Sequence, residues 1–151
     1  MRFLFVDRID RLVRNRHARG RKTVSFEEGF LRSPYCRPGE FPRLLVLESV
    51  AQLASWLVMY STDFKQVPTL ARLDRVEVLE SVVTGDRLIL DVEIVSFDAD
   101  GAYLQAEVHK DGRLIGRGTN CLCAFSPLDR LADPEAMRAT FKELTRHAVL
   151  E

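Results

Sequence analysis

The stretch Pro42–Tyr60, PRLLVLESVAQLASWLVMY, decides the fold. From Leu44 to Met59, twelve of sixteen residues are apolar, and the exceptions are Glu48, Ser49, Gln52 and Ser55. At about 100° per residue, Glu48, Gln52 and Ser55 fall within roughly 60° of one another on a helix. The rest of the circumference is apolar, as in a helix with protein on nearly every side. A membrane span needs about 20 apolar residues, so the segment reads as a core helix and no membrane span is expected. Pro42 suits the first helical turn, where a missing N–H leaves no bond unmade. A carboxylate on such a helix is costly to bury unless it is paired, protonated or used. Glu48 is therefore a candidate functional acid, set against the plainer alternative of an acid at the helix edge bonded to backbone.

Upstream, Gly29–Pro42 (GFLRSPYCRPGEFP) carries three prolines and two glycines, which exclude a regular helix or a central strand. This loop feeds the helix and is a candidate site wall. Before it, Phe3–Val13 and Thr23–Phe26 read as the strands of a hairpin whose tip falls at Asn15–Gly20. Arg8, Arg11, Arg14, Arg16, Arg19, Arg21 and Lys22 face one acid, Asp10, between positions 8 and 22. The excess is either a solvated face or a docking patch for an acidic partner.

Downstream come strand-like runs. Thr69–Val83 breaks at Thr84-Gly85-Asp86, and Arg87–Ser96 alternates, with Leu88, Leu90, Val92 and Ile94 on one face and Asp91 and Glu93 on the other. Tyr103–Lys110 alternates again, and Asp111-Gly112 is a two-residue hairpin turn leading into Arg113–Phe125. Gly116 and Gly118 in that strand imply a bulge or a close backbone approach. Asp133-Pro134 opens a surface helix to about residue 148, as N-cap followed by Pro at N1, with Met137, Phe141, Leu144 and Ala148 on one face. Hairpin, loop, buried helix, about four antiparallel strands and a surface helix make one α+β domain over 1–151, a sheet wrapped on one helix.

Composition narrows the function. Lysine plus arginine and aspartate plus glutamate both number 22, so no global charge draws the chain to nucleic acid or an acidic membrane. Three cysteines, Cys36, Cys121 and Cys123, with no CxxC pair, argue against a disulfide scaffold or a zinc site. Cys121 and Cys123 are expected on one face of a strand as small apolar side chains. An unbroken run of four apolar residues, Phe3–Val6, before the first acid is too short for a signal-peptide core, which favours a reducing cytosol.

FLFVDRI at 3–9, FPRLLVLESVAQ at 41–52, TLARLDRVEVLESVVTGDRLILDVEI at 69–94 and VHKDGRLIGRG at 108–118 occur in this order. Together they resemble the hot-dog fold, and within it the bacterial β-hydroxyacyl-acyl-carrier-protein dehydratases (FabZ-like), over about residues 3–125. The resemblance implies a dimer with its active site at the subunit interface and no cofactor or metal. It implies a loop histidine that takes the α-proton of a 3-hydroxyacyl thioester, and a helix glutamate that protonates the leaving hydroxyl. Glu48 stands at that glutamate's position and Gln52 at the glutamine that follows it. A general acid must be held protonated, which apolar surroundings favour.

The loop departs from the family. Its pattern, roughly G-H-F-P-G-x-P-x-M-P-G, meets SPYCRPGEFPR at 33–43. Pro34 takes the place of the histidine, and Arg37 and Arg43 take the places of two glycines. Tyr35 and Cys36 are the nearest side chains to the vacated role, and no adjacent histidine activates Cys36. His17, His109 and His147 are all distant from the loop in sequence. Three functions remain open: a dehydratase-like enzyme with an altered site, a non-catalytic acyl-binding subunit paired with a catalytic hot-dog partner, or a thioesterase using Glu48. The expected partners are acyl carrier protein or a coenzyme A thioester, with Arg14, Arg16 and Arg19 attracting the acidic carrier, and a second copy of the chain.

Overall fold

The alternation in 87–96 sets the inner face of a sheet: Leu88, Leu90, Val92 and Ile94 are buried, and Asp91 and Glu93 point outward. The computed structural model describes residues 3–31, 37 and 39–151. Its strands are β1 (Arg8–Val13), β2 (His17–Thr23), β3 (Glu40–Phe41), β4 (Gln66–Arg72), β5 (Arg75–Val78), β6 (Val82–Val83), β7 (Arg87–Phe97), β8 (Gly101–Lys110), β9 (Arg113–Pro127) and β10 (Val149–Leu150). Its helices are α1 (Arg43–Ser61) and α2 (Pro134–Leu144). One sheet runs β10-β1-β2-β7-β8-β9-β4, with β5 also on β9, and β3 pairs with β6 apart from it. All pairs are antiparallel except β1 with β10.

The helix α1 crosses the inner face of this sheet, burying Val46, Leu53, Trp56, Leu57 and Met59 completely. This is the hot-dog arrangement expected from the sequence. By length and composition α1 would also pass as a membrane span, but half of it is buried inside the fold as its core. It starts one residue later than the proline rule implied. Pro42 is the N-cap rather than the first helical residue, and its carbonyl accepts from the Leu45 and Val46 amides.

The hairpin turn lies at Arg14–Arg16, with Asn15 at φ 55°, and not at Asn15–Gly20. Gly20 is not a turn residue. A Cβ there would meet the Arg8 carbonyl at 2.7 Å and Leu53 Cδ1 at 3.2 Å, so glycine lets β2 approach both its neighbour strand and α1.

The residue two further along β2, Lys22, faces inward and is 2% exposed. Its Nζ donates to Glu28 Oε1 at 2.5 Å and to the Thr23 carbonyl at 2.8 Å, and lies 3.5 Å from Asp7 Oδ1. Glu28 Oε2 accepts from the Ser25 amide, and Asp7 Oδ2 from the Thr23 amide. This cluster ties the end of β2 to the 3-10 turn Phe26–Leu31 that begins the loop. Lys22→Met should leave Glu28 charged and mostly buried without its cation, costing about 3–5 kcal/mol in urea unfolding. Adding Glu28→Gln should recover part of that loss. A single-variant loss below about 1 kcal/mol would show the bridge to be worth no more than a surface pair.

The helix α2 forms where Asp133 and Pro134 place it: Asp133 Oδ1 accepts from the Glu135 amide at 3.0 Å. Met137, Phe141 and Leu144 are buried against α1 and the turn that follows it. The helix stops at Leu144, short of 148, and the chain then lies parallel to β1 as β10.

Candidate functional site

The helix α1 is apolar almost all round because it has two different surroundings. One side packs into the core. The other, bearing Leu44, Leu47, Glu48, Ala51 and Ser55, borders a cavity of about 440 Å³. The opposite wall comes from β4, β5, β7, β8 and β9. Leu44, Leu70 and Leu73, at 77%, 54% and 40% exposed, mark its mouth. Val92, Leu104 and Cys123, at 1%, 3% and 6%, form its floor.

Glu48 lies on the open side of this cavity and is exposed within one protomer, where the sequence suggested a buried or half-buried acid. The helix face around it, with Leu44 and Ala51, is uncovered. Gln52, one turn on, is buried and fully engaged. Its Oε1 accepts from the Phe5 amide at 2.8 Å. Its Nε2 donates to the Phe3 carbonyl at 3.1 Å and to Glu48 Oε1 at 2.9 Å. Both ends of the amide are fixed by backbone, so its orientation is set and one carboxylate oxygen of Glu48 is held. The arrangement suits a proton donor or acceptor on the wall of the cavity.

The bulge in β9 shapes the far end. Ala106 pairs with Gly118 and Leu104 with Cys121, so two residues of β9 oppose one of β8. Asn120 takes φ 52° there, and its Nδ2 donates to Asp74 Oδ2 at 3.1 Å. The extra residue turns Gly118, Cys121 and Cys123 all toward the cavity. Burial and the Asp74 charge push the Cys121 thiol upward, and burial pushes Cys123 up to about 11. Both are neutral wall groups at physiological pH, not nucleophiles.

Of the site-wall residues read from the sequence, Pro34, Tyr35 and Cys36 lie outside the described residues. Arg37 is exposed, with its carbonyl accepting from the Glu40 amide. The Glu40 carboxyl, bonded to the Ser81 hydroxyl and near Arg37 and Arg43, is held below its ordinary range.

The basic hairpin does not reach the cavity of its own protomer. Arg14 bridges to Asp63 at 2.8 Å and lies 4.5 Å above the Tyr60 ring. That is the C-terminal end of α1, about 20 Å from Glu48 at 1.5 Å per residue. Arg19 reaches Asp91 on the outer face of the sheet, and Arg16 is exposed without an ion pair among the described residues. Histidine is absent from the cavity wall. His17 and His109 flank Asp91 on the outer face, and His147 is exposed beyond α2.

Sequence reading did not find the outer wall, Leu70, Leu73 and Val76. Its only local signal was the pair of glycines in β9, which marked an irregularity without saying what it faced.

The fold and several sequences have known counterparts. A solved Streptococcus mutans protein bound to acetyl-CoA superposes with a TM-score of 0.63 over 80% of this chain and 88% of its own, at 13% identity. A hypothetical thioesterase from Streptococcus pneumoniae, solved with coenzyme A, gives 0.60 over 79% and 84%, at 15% identity. In sequence, the 3-hydroxyacyl-[acyl-carrier-protein] dehydratase FabZ of Caldicellulosiruptor bescii is 28% identical over 117 residues, 77% of this chain and 84% of that protein. FabZ of Caldanaerobacter subterraneus is 36% identical over 95 residues, 62% and 67% respectively. The FabA-like domain family matches residues 1–119. The chain belongs to the FabA-like family of hot-dog proteins, with the FabZ dehydratases among its relatives.

Proposed function

We propose that the protein binds 3-hydroxyacyl thioesters in the α1–sheet cavity and has a dehydratase-type site that retains its acid and has lost its base. The observation that carries this is Glu48 at the mouth of an apolar cavity, one oxygen held by the fixed amide of Gln52. In the elimination, the α-carbon gives its proton to a base and the β C–O bond breaks. Glu48 protonates the departing hydroxyl, and water leaves. The acid half of that step has its group in place. The base half has no histidine among the described residues lining the cavity, since all three histidines lie elsewhere.

Glu48→Gln keeps the size of the side chain and removes the proton. Acyl-thioester binding should persist, and residual 3-hydroxyacyl turnover should fall by about 10²–10⁴. Unchanged turnover would remove Glu48 from the mechanism. Binding without turnover in the native protein would favour a non-catalytic subunit beside a catalytic partner. Hydrolysis of acyl-coenzyme A that disappears with Glu48→Gln would favour a thioesterase.

The partner copy is part of the proposal. Leu44, Leu70 and Leu73 are exposed around the cavity mouth, and β4 ends the sheet with one side unpaired among the described residues. An apolar patch beside an open edge fits a second copy of the chain. Light scattering should report a dimer at micromolar concentration, and a stable monomer would contradict it. An acyl carrier protein or coenzyme A would deliver the acyl group to that mouth.

A further inference from the structure

The cavity has a direction, from the mouth at Leu44, Glu48 and Leu73 to the floor at Val92, Leu104 and Cys123. A thioester head group placed at Glu48 sends its acyl tail toward that floor. Beside that floor, the wall is cut back at three small residues, Ala106, Gly118 and Cys121, that the β9 bulge brings together. A Cβ at Gly118 would lie 3.3 Å from Cys121 Sγ and 3.9 Å from Ala106 Cβ. Each strand therefore presents little or nothing at this point, while Val92 and Leu104 close the space behind. Were β9 to alternate strictly from Gly118, with no bulge at Asn120, Cys121 would turn to the outer face and the neighbouring Leu122 would enter the cavity.

We propose that the Ala106–Gly118–Cys121 recess sets the length of acyl chain this protein accepts, with Asn120 as the residue that positions it. This rests on the acyl-thioester reading above and deepens it. The ligand is a linear acyl thioester whose methyl end packs against Ala106 and the Cys121 sulfur. The half-buried, neutral thiol adds a small apolar wall there.

The test is a chain-length profile with saturated acyl-coenzyme A thioesters from butanoyl to hexadecanoyl, measured by titration calorimetry. In the native protein, affinity should rise about fourfold with each methylene until the recess is full, then level or fall. Ala106→Leu fills the recess with three carbons. It should leave the shortest thioesters unchanged and weaken the longest accepted one by about sixtyfold. Cys121→Ala should move the limit the other way, toward longer chains. Because the readout is the ratio of long to short, a general loss of stability does not imitate it. The Cys121→Ala arm decides the matter if Ala106→Leu fails to fold. An Ala106→Leu profile parallel to the native one, or a limit unmoved by Cys121→Ala, would overturn the recess as the determinant while leaving acyl binding intact. Failure of every length to bind the native protein would overturn the acyl reading, and the recess with it.

Discussion

Pro34→His combined with Arg37→Gly should dehydrate a 3-hydroxyacyl thioester about 10²–10⁴ times faster than the native protein, the range a positioned general base supplies. The expectation follows from what the site keeps. Gln52 holds one oxygen of Glu48, and an apolar cavity lies beside it. Against the family's loop pattern, Pro34 stands for the imidazole and Arg37 and Arg43 for two glycines, among other differences. Histidine at 34 restores a group that accepts protons near neutral pH. Glycine at 37 restores backbone freedom where arginine stands. The third arm adds Glu48→Gln to the double variant and should return turnover to the native level, since base and acid act in one elimination. Native turnover equal to that of an ordinary dehydratase would sink the idea, because another residue would then have to take the α-proton. A double variant no faster than native would show that the prolines of the loop aim position 34 elsewhere.

Phe141→Ala should cost about 3–5 kcal/mol in denaturant unfolding. The ring is the point where α2 meets the end of α1. It stacks on Tyr60 at 5.4 Å between centroids, meets Phe64 edge-on at 5.2 Å and lies 6.1 Å from Trp56. Its removal opens a cavity among three aromatic side chains. It also withdraws support from a turn in which Asp63 and Phe64 both hold positive φ, at 52° and 59°. Such a conformation persists only where its surroundings fix it. Here the Met59 carbonyl accepts from the Phe64 amide at 2.7 Å, and Arg138 caps the Phe64 ring at 4.7 Å while donating to the Asp63 carbonyl. A loss under about 1 kcal/mol would mean that α2 is an appendage rather than a part of the core.

Legibility in the sequence followed the range of the forces involved. The strands β7 and β8 could be read from alternation, and the turn between β8 and β9 from Asp111-Gly112, which adopt φ 51° and 74°. The Asp133 cap of α2 was equally local. The hairpin tip was misplaced because Gly20 looks like a turn residue, while its real constraints are the Arg8 carbonyl on the neighbouring strand and Leu53, thirty-three positions away. The strand β10 has two residues and no pattern to read. In the site, Glu48 and Gln52 were visible because a helix puts positions one turn apart side by side. The cavity was not, because its outer wall is made by strands paired through a bulge whose register no local signal specifies. The exposure of Glu48 escaped for a related reason. A helix that is apolar all round implies neighbours on every side, but not that one of those neighbours is a space.

The short parallel strand β10 has a consequence for growth. Beside β1 it covers one border of the sheet with two residues, Val149 and Leu150, anchored by the Arg11–Glu151 bridge. A border that short offers almost no ladder for another chain to extend. Among the described residues the side of β9 that carries β4 and β5 is the more open end, and the proposed two-fold pairing through β4 would occupy it on both copies at once. With that pairing, edge-to-edge growth at this end would stop after a single event, which would work against fibre formation.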